Sequence, residues 1–236
     1  IDERADIRMA VNSILLSKTF DNGMICASEQ SVVCLDEVYD KVRQEFLRRG
    51  AWFADKEQAE ALCGVIFKNG KVNSAIVGQP AYKIAAMAGI TLPESVKVLI
   101  AERDEVRPDD PFGHEKLSPV LGMYRVPDFT AALDTAKRLI LQGGAGHTSV
   151  LYTDESKRDR IDVFEEVMPT GRTLVNMPAS QGAIGDVFNF RVAPSLTLGC
   201  GSWGNNSISE NLSYRQLINV SRIAYAIPGA VQPSDA

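Results

Sequence analysis

The sequence predicts an α/β fold built on a largely parallel sheet, and three observations predict it. Short β-branched apolar runs such as EQSVVCL (29–35) and SVKVLIAE (95–102) alternate with stretches whose apolar residues recur at helical spacing, such as DEVYDKVRQEFLRRG (36–50) and DFTAALDTAKRLILQGG (128–144). Strand–helix alternation of this kind joins parallel neighbours through crossover helices. The third observation is size and composition: 236 residues, 45% hydrophobic and 23% charged, suffice for a packed core and match ordinary globular chains.

Taken in order, the first 20 residues place Ile7, Val11, Ile14 and Leu15 on one helical stripe, and Asp21-Asn22-Gly23 then forces a turn. EQSVVCL is a strand. The next helix opens on acidic residues and closes at Arg48, Arg49 and Gly50, which suits the helix dipole. Helices follow over DKEQAEALCGVIFKNG (55–70) and PAYKIAAMAGI (80–90), then the strand SVKVLIAE. A polar turn in DDPFGHEKLSPVLGMY (109–124) leads into another strand. The long helix after it ends at Gly143 and Gly144; HTSVLYTD (147–154) is a strand, and RDRIDVFEEVMPTG and RTLVNMP repeat the pattern. Beyond Pro178 the chain turns rich in Gly, Ser and Asn, so 179–214 is expected to form an extended, loop-rich arm with short strand-like pieces at FNFRV (188–192) and SLTLG (195–199). The expected division is a domain over 1–178, the arm over 179–214 and a tail over 215–236.

Composition narrows the function classes. The formal net charge of −5 comes with no basic cluster, which excludes the electrostatic footprint of a nucleic-acid binder. The apolar run at 83–90 is too short to span a bilayer, and the charged first residues do not suit a signal peptide, so a cytoplasmic protein without membrane contact is expected. Cys26, Cys34, Cys63 and Cys200 form no CxxC pair, so thiols are expected and no metal. No glycine-rich dinucleotide fingerprint follows a strand; GGAGHT precedes one.

Cys26 carries two readings. A lone cysteine is commonly a small buried hydrophobe, as expected for Cys34 and Cys63 inside apolar patterns. Around Cys26, however, the Asn22-Gly23 turn can bring backbone N–H groups to the sulfur, and Ala27 and Ser28 leave room for a substrate. Such donors favour a thiolate and stabilise an oxyanion. His114 and Glu115 are the second candidates. They read either as an exposed polar turn or as a pair pointing opposite ways, the imidazole handling a proton and the carboxylate binding a diol. His147, at a strand entrance, reads more readily as structural, and Trp203 as a packing or interface anchor.

KTFDNGMICASEQSVV, PFGHEKLSPVLGMYR, GGAGHTSVLYT and NMPASQGAIGDVFNFRVAPSLTLGCGSWGNNSISEN together resemble the CoA-acylating aldehyde dehydrogenases, most of all the aldehyde dehydrogenase half of bifunctional aldehyde-alcohol dehydrogenases. The resemblance runs to about Tyr214 and weakens in the tail. It implies Cys26 as nucleophile. Glu115, opening the pattern Glu-x-x-x-Pro-Val completed by Pro119 and Val120, would hold the nicotinamide ribose of NAD; Leu117 would lie near the nicotinamide. His114 would assist proton movement at the thiol or at coenzyme A. The family's nucleotide-binding domain and oxyanion asparagine come earlier in its chains, so the resemblance is expected to cover the thiol-bearing domain alone, with no alcohol dehydrogenase half among these 236 residues.

The implied reaction makes acyl-CoA from an aldehyde, with acetaldehyde expected, through a thiohemiacetal and a thioester on Cys26. Two alternatives accompany it: a hydrolytic or semialdehyde dehydrogenase fragment, and an oligomerisation module without activity of its own. The arm, over 179–211, would join copies into a homo-oligomer. Without a pyrophosphate-binding turn, these 236 residues alone are expected to show no measurable aldehyde oxidation.

Overall fold

The computed structural model describes residues 1–185 and 191–229. Its main sheet has four parallel strands in the order β1-β6-β5-β2, namely β1 (Ser31–Leu35), β6 (Val120–Val126), β5 (Val98–Arg103) and β2 (Ala51–Ala54). A short antiparallel hairpin, β3 (Phe67–Lys68) with β4 (Lys71–Val72), stands apart from it. A second sheet pairs β7 (Gly146–Leu151) with β8 (Thr170–Val175), again parallel. The largely parallel α/β expectation therefore holds, although the parallel strands fall into two sheets.

Helices cover both faces of the main sheet, and β5 shows why the sequence reads as a continuous apolar run there. Val98 and Ile100 enter one core with α1 (Ile7–Thr19) and α2 (Asp36–Arg48). Leu99 and Ala101 enter a second core with α3 (Lys56–Ile66) and α4 (Ala81–Met87). A strand buried on both sides needs no polar alternation. Local signals set the helix starts: Asp6 accepts from Met9 N at 3.0 Å, and Asp55 and Gln58 form a reciprocal capping box. Asp128 caps α5 (Phe129–Gly143) in the same way, and α6 (Arg158–Val167) joins β7 to β8.

Ile1 and Asp2 tie the two sheets together. The Ile1 amino group donates to Val33 O at 2.7 Å, Leu35 N donates to Ile1 O, and Asp2 N donates to Tyr152 O just beyond β7. Inside, the Asp2 carboxylate accepts from Thr153 Oγ1 at 2.6 Å and from Arg160 Nη1 at 2.8 Å.

Three expectations need correction. Ala51–Ala54 is a strand that the sequence reading passed over. The arm does not begin extended: Ala179–Ile184 is a helix, α7, packed against α1, because Ser17 and Ser180 exchange buried hydrogen bonds there. SLTLG contributes only a single bridge, Leu198 to Asn211. FNFRV lies largely outside the described residues. Past Ser213 the described tail is one short turn, Tyr214–Leu217, followed by exposed chain. Among the described residues no helix is long and apolar enough to cross a membrane, and no group of His, Cys, Asp and Glu could hold a metal ion.

Candidate active site

The site forms where the turn after α1 meets the loop before β6. Asp21, Asn22 and Gly23 are three consecutive residues with positive φ, at 49°, 48° and 75°. Asp and Asn tolerate the left-handed region and Gly favours it, which explains why this triplet reverses the chain so tightly. The turn leaves Cys26 exposed, whereas Cys34 is buried and Cys63 and Cys200 are half-buried.

The thiol is not poised as a thiolate. Partial burial and the nearby Glu115 carboxylate raise its pKa, and the backbone N–H groups of Ala27 and Cys26 lower it. The expected donors are thus present, but desolvation and Glu115 outweigh them. Nor are Ala27 and Ser28 open space. Ala27 packs with Leu174, Ala179 and Ala183, and Ser28 is buried with its hydroxyl engaged by Lys18.

Glu115 is exposed, beside the thiol, and no described residue hydrogen-bonds its carboxylate. Both oxygens are therefore available to a diol, which is the fit a nicotinamide ribose requires. Leu117, half-buried, adopts φ 48°, and its carbonyl accepts from Gly78 N at 3.0 Å. His114 is turned to other partners. Its Nε2 lies 2.8 Å from Pro108 O and 2.9 Å from the Gln142 amide, and its ring packs 5.1 Å from that of Phe67. Pro108 O can only accept and the Gln142 amide nitrogen can only donate, so Nε2 serves one of these partners at a time and the pair of contacts fixes no single tautomer. His147 is half-buried; desolvation first and Arg172 second push its pKa down to about 4. Its Nδ1 lies 2.9 Å from Thr148 Oγ1.

Cys26, His114, Glu115 and His147 all line one cavity of about 220 Å³ that continues inward between β1, β7 and α5. Its walls include Val32, Val33, Ser149 and Val150, so its inner part is the gap between the facing edges of the two sheets.

Sequence reasoning missed the buried charges around this site. Lys18 and Lys116 are fully buried, and Glu29 and Arg172 nearly so. Burial pulls Lys18 down to about 7 and pushes Glu29 up to about 7. One signal was available: Lys18 follows Val11 and Ile14 at the 3-and-4 spacing of the core-facing stripe. For Lys116 and Arg172 no local pattern marks burial.

No protein-family model matches the chain. It is 56% identical over 225 residues to the bifunctional aldehyde-alcohol dehydrogenase AdhE of Escherichia coli K12, covering 95% of this chain and 25% of that protein. An acetylating aldehyde dehydrogenase from Geobacillus thermoglucosidasius superposes with a TM-score of 0.93 at 39% identity, over 99% of this chain and 50% of that one. A propionaldehyde dehydrogenase from Clostridium phytofermentans gives 0.78 at 28%, over 87% and 45%. The chain thus spans from a quarter to a half of the length of these relatives. Matched along nearly all of its own sequence and fold, the chain corresponds to one part of the longer chains of these aldehyde dehydrogenases.

Proposed function

We propose that the full-length protein oxidises an aldehyde, with acetaldehyde the expected substrate, and passes the acyl group to coenzyme A. One observation carries the reading: an exposed thiol and an exposed carboxylate that no other described residue engages line one cavity, near enough for the carboxylate to hold the thiol's pKa up. Cys26 loses its proton and its sulfur adds to the aldehyde carbon, forming a thiohemiacetal. A nicotinamide dinucleotide, NAD in the expected case, supplies the hydride acceptor when bound. Glu115 would hold its ribose diol and Leu117 would flank the ring. Loss of the hydride from carbon and of the proton from the hydroxyl leaves a thioester on Cys26. The coenzyme A thiol then attacks that carbonyl, acyl-CoA leaves, and Cys26 is restored. Thiols outcompete water at neutral pH, so this chemistry needs no base dedicated to water.

His114 lines the same cavity as Cys26 and is the group expected to assist proton movement at the thiol or at coenzyme A. His147 is the second histidine there, and one observation favours giving it a share. The propionaldehyde dehydrogenase has been crystallised with one cysteine and with one histidine replaced by alanine. The chain distance between those two positions is close to that from Cys26 to His147 and far longer than that from Cys26 to His114.

The test is product analysis on the full-length protein. NADH formation that yields acyl-CoA and depends on coenzyme A supports the reading, whereas carboxylate as the sole product supports a hydrolytic dehydrogenase. Relatives named for succinate semialdehyde and sulfoacetaldehyde define the aldehydes to compare with acetaldehyde.

A second reading concerns assembly: copies join through residues 179–211. Leu196 and Trp203 favour it, since the arm leaves them 75% and 53% exposed. Sedimentation as a strict monomer at high concentration would count against it.

A further inference from the structure

Two fully buried lysines lie beside the proposed site, and neither has a carboxylate within ion-pair distance among the described residues. Carboxylates act on them only at longer range, Glu29 and Glu115 on Lys18 and Asp110 and Glu115 on Lys116; burying an ammonium without a directly paired carboxylate is costly, and apolar side chains would fill the space more cheaply. Their hydrogen bonds show what they hold. Lys18 Nζ donates to Ser28 Oγ and to Gln30 Oε1, both at 3.3 Å. Lys116 Nζ donates to Phe112 O at 2.8 Å and His114 O at 2.5 Å, closing the loop that presents Glu115. The Lys116 backbone N–H donates to Gln30 Oε1 at 3.1 Å.

Gln30 is therefore the junction. Its amide oxygen takes Lys18 from one side and the residue after Glu115 from the other, while Nε2 is fixed on Ser28 O at 3.1 Å. Its own carbonyl accepts from Gly122 N at 3.3 Å, anchoring it to β6. Ser28 in turn donates to Gly23 O inside the cysteine turn. A continuous hydrogen-bond chain thus runs from the turn that carries Cys26 to the loop that carries Glu115.

We propose that Gln30, clamped by Lys18, sets the register between Cys26 and Glu115 and is a positioning residue for hydride transfer. The inference rests on the function proposed above. Hydride loss requires the thiohemiacetal carbon on Cys26 and the ring held at Glu115 in one geometry. Attack of coenzyme A on the thioester requires the Cys26 end alone. Loss of Gln30 should therefore damage the two half-reactions unequally.

The experiment measures both half-reactions in the full-length protein: the NADH burst from aldehyde and NAD, and exchange of acyl groups between acyl-CoA and labelled coenzyme A without NAD. Gln30→Ala should slow the burst about 100-fold, the scale of an ångström-level misplacement, and exchange by less than about 3-fold. Gln30→Glu keeps an acceptor oxygen for Lys18 and for the Lys116 N–H, and should recover the burst to within about 10-fold of wild type. Lys18→Met removes the clamp, leaves Gln30 in place, and must show the same split. Equal losses in both half-reactions, or none in either, would overturn the inference. A wild-type protein without any NADH burst would instead overturn the function on which it rests.

Discussion

Gly23 and Ser118 touch backbone to backbone: a Cβ built on Gly23 would lie 2.7 Å from both the carbonyl carbon and the oxygen of Ser118. This contact docks the cysteine turn onto the Glu115 loop and leaves no room for a side chain. Gly23→Ala meets that wall at φ 75°. It should destabilise the chain by about 2–4 kcal/mol and slow Cys26 acylation in the full-length protein. Chemical denaturation measures the first effect; a loss below ~0.5 kcal/mol would show that the turn can retreat from Ser118.

The thiol environment gives a second prediction. Burial and Glu115 hold the Cys26 pKa up, so Glu115→Gln removes the negative charge that opposes ionisation. Its alkylation profile with iodoacetamide should move to lower pH, and Cys26 should label faster than wild type at neutral pH. Cys34 and Cys63, both pushed up to about 11 by burial, should label more slowly than Cys26 in either protein. Peptide mapping distinguishes the sites, and an unshifted Cys26 profile would remove Glu115 as its electrostatic partner.

Much of this arrangement was legible in the sequence, and the failures have physical causes. Asp21-Asn22-Gly23 announced its turn because few other residues accept three positive φ angles in succession. The long helices announced themselves by period. β2 is four residues directly after Gly50, too short for alternation to register. α7 hides in ASQGAI because tertiary hydrogen bonds from Ser17, not propensity, stabilise it. Lysine is ordinarily a surface residue, and only the folded chain shows the carbonyls and hydroxyls that satisfy Lys18 and Lys116 in the interior. The direction of the Cys26 pKa was illegible too, since it depends on how deeply Glu115 and the turn close around the sulfur.

His147 sets the acid limit of this region. Its folded pKa is near 4, against about 6.5 for an unfolded histidine. Between those values the unfolded chain binds a proton that the folded chain refuses, so stability is fully present above pH 6.5 and falls as pH drops towards 4. The contribution is on the order of 3 kcal/mol. His147→Gln should flatten the stability–pH curve across this window, measured as the denaturation midpoint at several pH values. An unchanged slope would assign the acid sensitivity to other groups.

Arg172 anchors the arm. Its guanidinium donates to His147 O and Gly199 O at 2.9 Å each and to Asn211 Oδ1 at 3.4 Å, stitching β7 and β8 to residues 199–211. Arg172→Met leaves those carbonyls unpaired and should cost about 2–4 kcal/mol. Limited proteolysis should then cut between residues 191 and 211 faster than in wild type. Equal cutting rates would show that the bridge from Leu198 to Asn211 holds the arm without Arg172.

The most direct test of the account is the location of the acyl group. Full-length protein is incubated with acyl-CoA and no nicotinamide cofactor, quenched in acid and digested, and the acyl mass is mapped by peptide. The account predicts a single acylated peptide, the one bearing Cys26, whose mass shift disappears on addition of free coenzyme A. An acyl group on the Cys200 peptide, or acyl transfer that survives Cys26→Ser, would contradict it.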